Sequence, residues 1–375
     1  MPAHFKETGE NSIFGNLVYS RIIPQNHFLV KLKEEIPWQS FLPQLLPYYK
    51  GEGNLGSRPY SPVMILKMLF LAYLYNLSER QVEEFANFNL PAKYFLGLGA
   101  DESCPDHATL TVFKNRLVEG AGLLPFEQIF GKIIRIALDK GIVFGQVQAI
   151  DATHVPANVN IFKDKMRRDK EGKPPRDGDA TWGVKHTKKA HTPEGKTVEV
   201  KEEFYGYKAH ISLNTQTGLT TSLKVTPGNE YDGKLLPALT RKDKRAGIKP
   251  AVYTADKAYD DGDNHTCLKD HNFGDALCLK KTRTNSKSWE NNKYWQALAG
   301  KPAYEEGLTE RYKIERGFGD VKTRHGFSRC RYLGLKGFAI QSYLTFAALN
   351  LKRIIKILTL VSLRNETYVY AGAVT

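Results

Sequence analysis

Cysteine is scarce and never clustered: the 375 residues hold four, Cys104, Cys267, Cys278 and Cys330, with no CxxC pair. That spacing excludes a disulfide framework and a cysteine-built zinc site. Long apolar runs are missing too. The richest, Pro62 to Leu77, is interrupted by Lys67 and Asn76 and falls short of the ~20 residues a membrane span needs. Phe338 to Leu351 is broken by Gln341, Ser342 and Asn350. Met1 to Ser12 is polar and lacks the apolar segment of a signal peptide. The expectation is a cytoplasmic protein without a membrane partner. Acids are in deficit, 40 Asp and Glu against 54 Lys and Arg, for a formal net charge of +14. Such an excess points to a polyanionic partner, most simply nucleic acid. Disorder as the main state is excluded. Hydrophobic residues make up 41% and aromatics 11%, and a chain of this length buries about three-quarters of its unfolded surface.

Patterning divides the chain. Residues 1–27 read as a polar leader with little periodicity. Residues 28–135 read as helical, beginning with a helix from Phe28 through Leu45 that stops at Pro47. After a connector with Gly51, Gly53 and Gly56, Ser61 is placed to cap a helix with Pro62 at its first position, running to about Tyr75. Ser78 and Gln81 have capping-box spacing, ahead of Val82, Phe85 and Ala86. Another helix follows Asp106 and carries Leu110, Phe113 and Leu117. Two helices joined at Asn76-Leu77 have the outline of a helix-turn-helix, a motif shared with many plain helical hairpins. DNA contact and assembly are both open roles for this domain.

From residue 140 to 358 the pattern is α/β. Short runs suit strands at Gln146–Ala152, Tyr207–Leu213, Thr220–Val225, Ala251–Ala255 and Ala276–Leu279. Turn residues Asn214 to Gly218 predict a hairpin between the second and third. Helical segments fall at Lys234–Leu239, Tyr259–His271, Leu308–Arg324 and Leu335–Leu358. Hairpin strands followed by strands alternating with helices predict a mixed sheet covered on both faces. An insertion at 160–204 is rich in Lys and Arg, including Lys163, Arg168, Lys185, Lys188 and Lys189, and poor in apolar residues. It predicts a mobile basic loop touching phosphates. Residues 359–375 form a tail.

Three acids stand out. Asp151 ends the apolar run Val147 to Ile150 and shares its face with Val147 and Ala149 by strand alternation. A carboxylate so placed is costly to desolvate unless paired, and a metal ion is one partner. Asp256 closes a second such run, Val252 to Ala255. Acids at the ends of neighbouring strands can converge at one sheet edge, where α/β sites lie. The third, Glu315, falls on one helical stripe with Arg311 and Lys322. Two aspartates and a glutamate are the oxygen ligands magnesium prefers, and a pair of such ions suits phosphodiester displacement. Each acid has a plainer role: a strand-end Asp caps turns, and Glu315 pairs with Arg311 at i,i+4. Asp260 and Asp261 read as caps of the following helix.

Ala149-Ile150-Asp151-Ala152-Thr153, Thr254-Ala255-Asp256-Lys257-Ala258-Tyr259, and Arg311 with Glu315 and Lys322 together resemble a bacterial insertion-sequence DDE transposase. The chain is most similar to the IS-four/IS-five-like group, whose third motif is Y-(x)2-R-(x)3-E-(x)6-K. The spacing from Arg311 through Lys322 fits, but the tyrosine position is Leu308, so no role of that tyrosine carries over. Tyr205 to His210, Thr226 to Asp232 and Gly326 to Gly334 resemble further stretches of the family, as do Arg58 to Ser78 and Pro105 to Leu110 in its N-terminal domain. The resemblance implies an RNase H-like catalytic domain behind an all-α domain. It implies Asp151, Asp256 and Glu315 as catalytic metal ligands for two Mg2+, with Mn2+ able to substitute. It also implies Arg311, Lys322, Lys257, His154, Arg329 and Arg331 as DNA contacts. The partner it implies is double-stranded DNA, transposon ends and target, held by a homodimer. An RNase H-like nuclease that cuts without joining, and a domesticated inactive DNA-binding protein, fit the same residues.

Overall fold

The computed structural model describes residues 5–9, 13–49, 58–191, 197–280 and 293–363. The Gly51–Gly56 connector and tail residues 364–375 lie outside them, and the side chains of Lys188 and Lys189 are likewise not described. The chain forms two compact units, residues 1–120 with 351–375, and residues 121–350.

The first unit is helical: α1 (Ile13–Ile22), α2 (Phe28–Glu35), α3 (Leu42–Leu45), α4 (Pro62–Leu74), α5 (Glu79–Phe88), α6 (Leu90–Leu96) and α7 (His107–Ala121). Every residue of α4 is buried, so it is the axis around which the others pack. Its Lys67 is buried with it and donates to the Phe95 carbonyl at 2.9 Å, which satisfies the charged group inside the core. Ser61 caps α4 and the Ser78–Gln81 capping box starts α5, as the sequence predicts. Two expectations fail here. The leader contains α1, whose Tyr19 is buried with Ile23 and Val30. The helix from Phe28 ends at Glu35, because Pro37 cannot continue it. A groove-reading role also sits poorly on α5. It carries Glu79, Glu83 and Glu84 against Arg80, and Glu79 is paired with Lys114.

The second unit begins with α8 (Leu124–Asp139) and continues β1 (Val147–Pro156), α9 (Ile161–Glu171), β2 (Thr181–His191), β3 (Thr197–Asn214) and β4 (Thr220–Pro227). Then come α10 (Leu236–Arg245), β5 (Val252–Ala255), α11 (Gly262–Asp270), β6 (Gly274–Leu277), α12 (Lys293–Leu298), α13 (Pro302–Glu310), α14 (Tyr312–Arg324) and α15 (Gly334–Thr359). The sheet order is β2-β3-β1-β5-β6, with β4 also on β3. β3 is antiparallel to β1, β2 and β4, while β5 and β6 run parallel. Setting β2 aside, an antiparallel three-strand meander followed by two parallel strands is the RNase H-like arrangement the resemblance implies.

Alternation along β5 sends Tyr253 and Ala255 to one face and Val252 to the other. The first pair packs with Ile150, Leu236, Leu239, Tyr259 and Leu268. On the second face Val252 packs with Ala276 and Tyr304, with Leu298 and Leu308 against them. Leu308, where the family motif has tyrosine, thus helps seal α13 onto the sheet. Gly307 lets that helix approach closely, since a Cβ there would stand 2.3 Å from the Ala276 Cβ.

The described parts of the insertion, residues 160–191 and 197–204, form a helix and a strand pair, against the expectation of a loop. α9 is capped by Asn160 and closed by Gly172 at φ 63°. β2 and the first half of β3 form a ladder from Thr181↔Gly206 to His191↔Thr197. Acids then anchor the segment: buried Asp164 binds Arg167 at 2.9 Å, and Asp179 accepts from the Leu335 amide at 2.9 Å. Backbone pairing and these acid contacts, one of them buried, supply the order that apolar content does not.

His265 on α11 joins Asp275 of β6 and, at 3.0 Å, Asp260. Burial alone would lower its pKa, but the Asp275 and Asp260 contacts outweigh this and raise it. A histidine raised on folding stabilises fully below its unfolded value of ~6.5 and loses that stabilisation as pH passes the folded value. His265→Gln is therefore expected to cost about 1–3 kcal/mol near pH 6. The gap to wild type should narrow toward pH 9 in denaturant titrations; a gap that widens with pH contradicts the clamp.

Candidate active site at the ends of strands β1 and β5

β1 and β5 are paired in parallel with Ile150 opposite Ala255. The residues that follow this last pair, Asp151 and Asp256, come to the same end of the sheet, and the charge of Asp256 reaches Asp151. Each uses one carboxylate oxygen for positioning. Asp151 Oδ1 accepts from the Ala152 amide at 2.7 Å. Asp256 Oδ1 accepts from the Ala258 amide at 2.8 Å and so caps the short 3-10 turn Lys257–Tyr259. The Oδ2 atoms have no hydrogen-bond partner among the described residues. Burial pushes the Asp151 carboxyl up to about 7; the Ala152 amide opposes this, Asp256 adds to it, and the Arg311 guanidinium counters in part.

Glu315 lies in the first turn of α14, and Arg311 is the residue at that helix's N-cap. Arg311 holds Glu315 at 3.0 Å, and the Glu315 side chain remains more than half exposed. The three expected ligands are not closed on one another. Among the described residues, the one His, Cys, Asp or Glu trio whose ligand atoms all lie within 4.8 Å is Glu83, Asp106 and His107. These have capping work instead: Asp106 accepts from the Ala108 amide and Glu83 from the His107 amide.

The basic residues are spread around the acids. Lys322 is half-buried, and burial together with Lys185 lowers its pKa. Lys257 is exposed beside Asp256. Arg329 is exposed, and Arg331 donates its backbone amide to Gln341 at 2.7 Å. Their loop is tied to the end of β1 by the Cys330 amide on the Pro156 carbonyl, 2.9 Å. His154 falls on the face opposite Asp151 and packs on Phe204, ring centroids 5.0 Å apart. Asp261 caps α11 as expected, whereas Asp260 is buried against His265.

Sequence reasoning missed three neighbours. Asp232, just after β4, is paired with Lys208 at 2.9 Å. Tyr259 is fully buried, and its hydroxyl has no hydrogen-bond partner among the described residues. His210 is buried beside Asp232, Nδ1 to Oδ1 3.8 Å, and burial lowers its pKa to about 3. Lys208, His210, Asp232 and Tyr259 all lie in the stretches that carry the family resemblance; what joins them is tertiary.

Residues 143–351 match the Transposase DDE domain family, and residues 17–116 match the Transposase domain (DUF772). The chain belongs to the DDE transposase family. It is an enzyme of DNA phosphodiester chemistry, and its family uses a divalent metal. Three solved structures are similar at low identity. The piggyBac transposase synaptic complex with hairpin DNA is 8% identical, covering 93% of this chain and 80% of that one, at TM-score 0.35. The Mos1 paired-end complex with left transposon end is 10% identical, with coverages of 75% and 84% and TM-score 0.20. The Mos1 mariner paired-end complex with Mn is 11% identical, with coverages of 85% and 92% and TM-score 0.21. TM-scores this low do not by themselves establish a common fold. Among the described residues of the transposase, no helix is long and apolar enough to cross a membrane.

The donor set fits a hard divalent cation: carboxylate oxygens fixed by one atom and free at the other, crowded and half-buried. Crowding costs stability when no cation is bound. Asp151→Asn keeps the Oδ1 contact to Ala152 and removes the charge. In metal-free protein near pH 8 it should raise Tm by roughly 3–6 °C; a lower Tm would show that the carboxylate is stabilising instead.

Proposed function

We propose that this transposase is of the IS-four/IS-five-like insertion-sequence group, and that Asp151, Asp256 and Glu315 carry its catalysis. It binds terminal inverted repeats, hydrolyses a phosphodiester to leave a 3′ hydroxyl, and joins that hydroxyl to target DNA. In hydrolysis a water oxygen bonds phosphorus as the P–O3′ bond breaks; in joining, the 3′ oxygen attacks a target phosphorus and displaces its 3′ oxygen. The observation that supports the reading is the register of β1 and β5, which ends on Ile150 opposite Ala255, so that Asp151 and Asp256 follow at the same end of the sheet.

Asp151 and Asp256 would hold Mg2+ or Mn2+, with Glu315 completing the set. When bound, two such ions activate the attacking oxygen and neutralise the leaving one. Arg311 pairs with Glu315 at 3.0 Å. A DNA phosphate competes for the same guanidinium, a bidentate partner well matched to it, and its arrival frees Glu315. Lys322, half-buried beside Lys185, offers desolvated positive charge to the next phosphate. Lys257, Arg329 and Arg331 extend the basic rim. Pairing two ends requires two such sites, hence a homodimer in the end-paired state, acting on nucleoid DNA in the bacterial cytoplasm.

Asp151→Asn and Asp256→Asn should each abolish nicking of cognate ends in Mg2+ while leaving end binding within about threefold, read by gel shift. Undiminished cutting by either variant sinks the site. Lys322→Ala should weaken binding uniformly across sequences and reduce the salt slope of log K by about 1; an unchanged slope removes Lys322 from the DNA path. Strand transfer of the freed 3′ ends separates a transposase from a nuclease that only cuts.

A further inference from the structure

Helix α9 is turned inside out. It buries Asp164 and leaves Phe162 82% exposed and Met166 56% exposed. Its docking explains the inversion. Asp164 accepts from the Arg167 guanidinium at 2.9 Å and from the Arg176 amide at 3.3 Å, and Arg167 also donates to the Pro174 carbonyl at 2.6 Å. These bonds hold the polar face inward. At ~100° per residue, Phe162 and Met166, each two residues from Asp164, fall roughly opposite it. Spaced i,i+4, they stand next to each other as one apolar ridge on the solvent side.

Positive charge borders the ridge. Lys163 and Lys165 lie on its two sides, and Lys170 follows Met166 one turn on, all three exposed. Arg167 and Arg168 are engaged by Asp164, and Glu171 by Lys173. Lys163, Lys165 and Lys170 have no ion pair among the described residues and face only Asp169 as a nearby acid of the helix. The helix also starts next to the basic rim. Between β1 and α9, Asn158 donates to the Arg331 carbonyl at 3.3 Å, and Arg329 donates to the Val159 carbonyl at 3.5 Å. An apolar ridge between lysines complements a partner with phosphates outside and an apolar interior, which is duplex DNA. Phe and Met are among the side chains that wedge between base steps from the minor groove. A two-fold contact with a second copy would instead set these lysines against themselves, and a lipid surface calls for a larger apolar face than this ridge supplies. Neither Phe nor Met carries a side-chain donor for base edges, so the contact suits DNA of any sequence, the target duplex.

We propose that α9 is a wedge for target DNA. Phe162 and Met166 enter the duplex between base steps and partly unstack them, while Lys163, Lys165 and Lys170 hold the phosphates alongside. The inference rests on the chain being a DNA transposase and is independent of which acids hold the metal.

The test uses the full chain without divalent metal, so that no cleavage enters, and a mixed-sequence duplex. The duplex carries a donor and an acceptor dye at its ends and 2-aminopurine at internal steps. Binding should bend it, read by energy transfer, and brighten the 2-aminopurine as it unstacks. Phe162→Ala combined with Met166→Ala should lose at least half of both signals at saturating protein. It should weaken binding about threefold and keep the salt slope of log K, because the phosphate contacts remain. Both side chains are exposed and alanine favours a helix, so the double variant keeps its fold. Phe162→Leu alone should retain most of the bend, since leucine also wedges. Full bending and unstacking by the double variant, or no distortion by the wild type, overturns the proposal while leaving the metal-site reading untouched. A wild-type dimer that the double variant loses in sedimentation overturns it in favour of a second copy. Binding of phosphatidylserine vesicles by the wild type but not the double variant overturns it in favour of a lipid surface.

Discussion

A carboxylate buried at the end of a strand is costly to keep charged, and the site is built around that cost. Burial holds Asp151 up to about 7, and Asp256, which follows the paired strand, adds to the effect. Among the described residues neither acid has a salt bridge of its own. Each is fixed through one oxygen by a backbone amide, which orients it without neutralising it. The fold sustains this cost with apolar packing on both faces of β5, through α10 and α11 on one side and α13 on the other. Carboxylates so placed suit a cation, which offsets the cost of their charge on binding.

The basic groups do a different job. Arg311 lies where it both moderates Asp151 and pairs with Glu315. Lys322 lies close enough to Lys185 to feel its charge, an arrangement that a phosphate improves. The +14 of the chain is thus partly resolved into specific placements: seven Lys and Arg against two acids from Arg311 to Arg331, surrounding a small acidic centre. The ordered β2–β3 ribbon gives the remaining basic insertion a defined framework.

How far this was legible in the sequence depended on whether the signal was local. Ser61-Pro62, the Ser78–Gln81 box and the Asn214–Gly218 turn act through adjacent backbone, and all appear where expected. Asp151 and Asp256 were legible because an acid closing an apolar run is conspicuous. The Arg311–Glu315 pair followed from helical spacing. β2 was not legible: its order comes from ladder bonds to β3 and from anchors such as Asp164 and Asp179, none of which alters composition. α1 was hidden in a polar leader for the same reason, since Tyr19 and Ile23 find their partners across the helical unit. Asp232, Lys208 and Tyr259 lay in recognisable stretches, but only the folded sheet brings them to one place.

The central claim is that Asp151 and Asp256 are preset for a cation and that Glu315 joins them when DNA takes Arg311. Its most direct test is the anomalous scattering of Mn2+ in crystals of the transposase bound to its own transposon-end DNA. The account expects a peak between Asp151 and Asp256, with Glu315 turned toward it and Arg311 on a phosphate. A peak confined to Glu83, Asp106 and His107, or Glu315 still paired with Arg311 beside bound DNA, would contradict it.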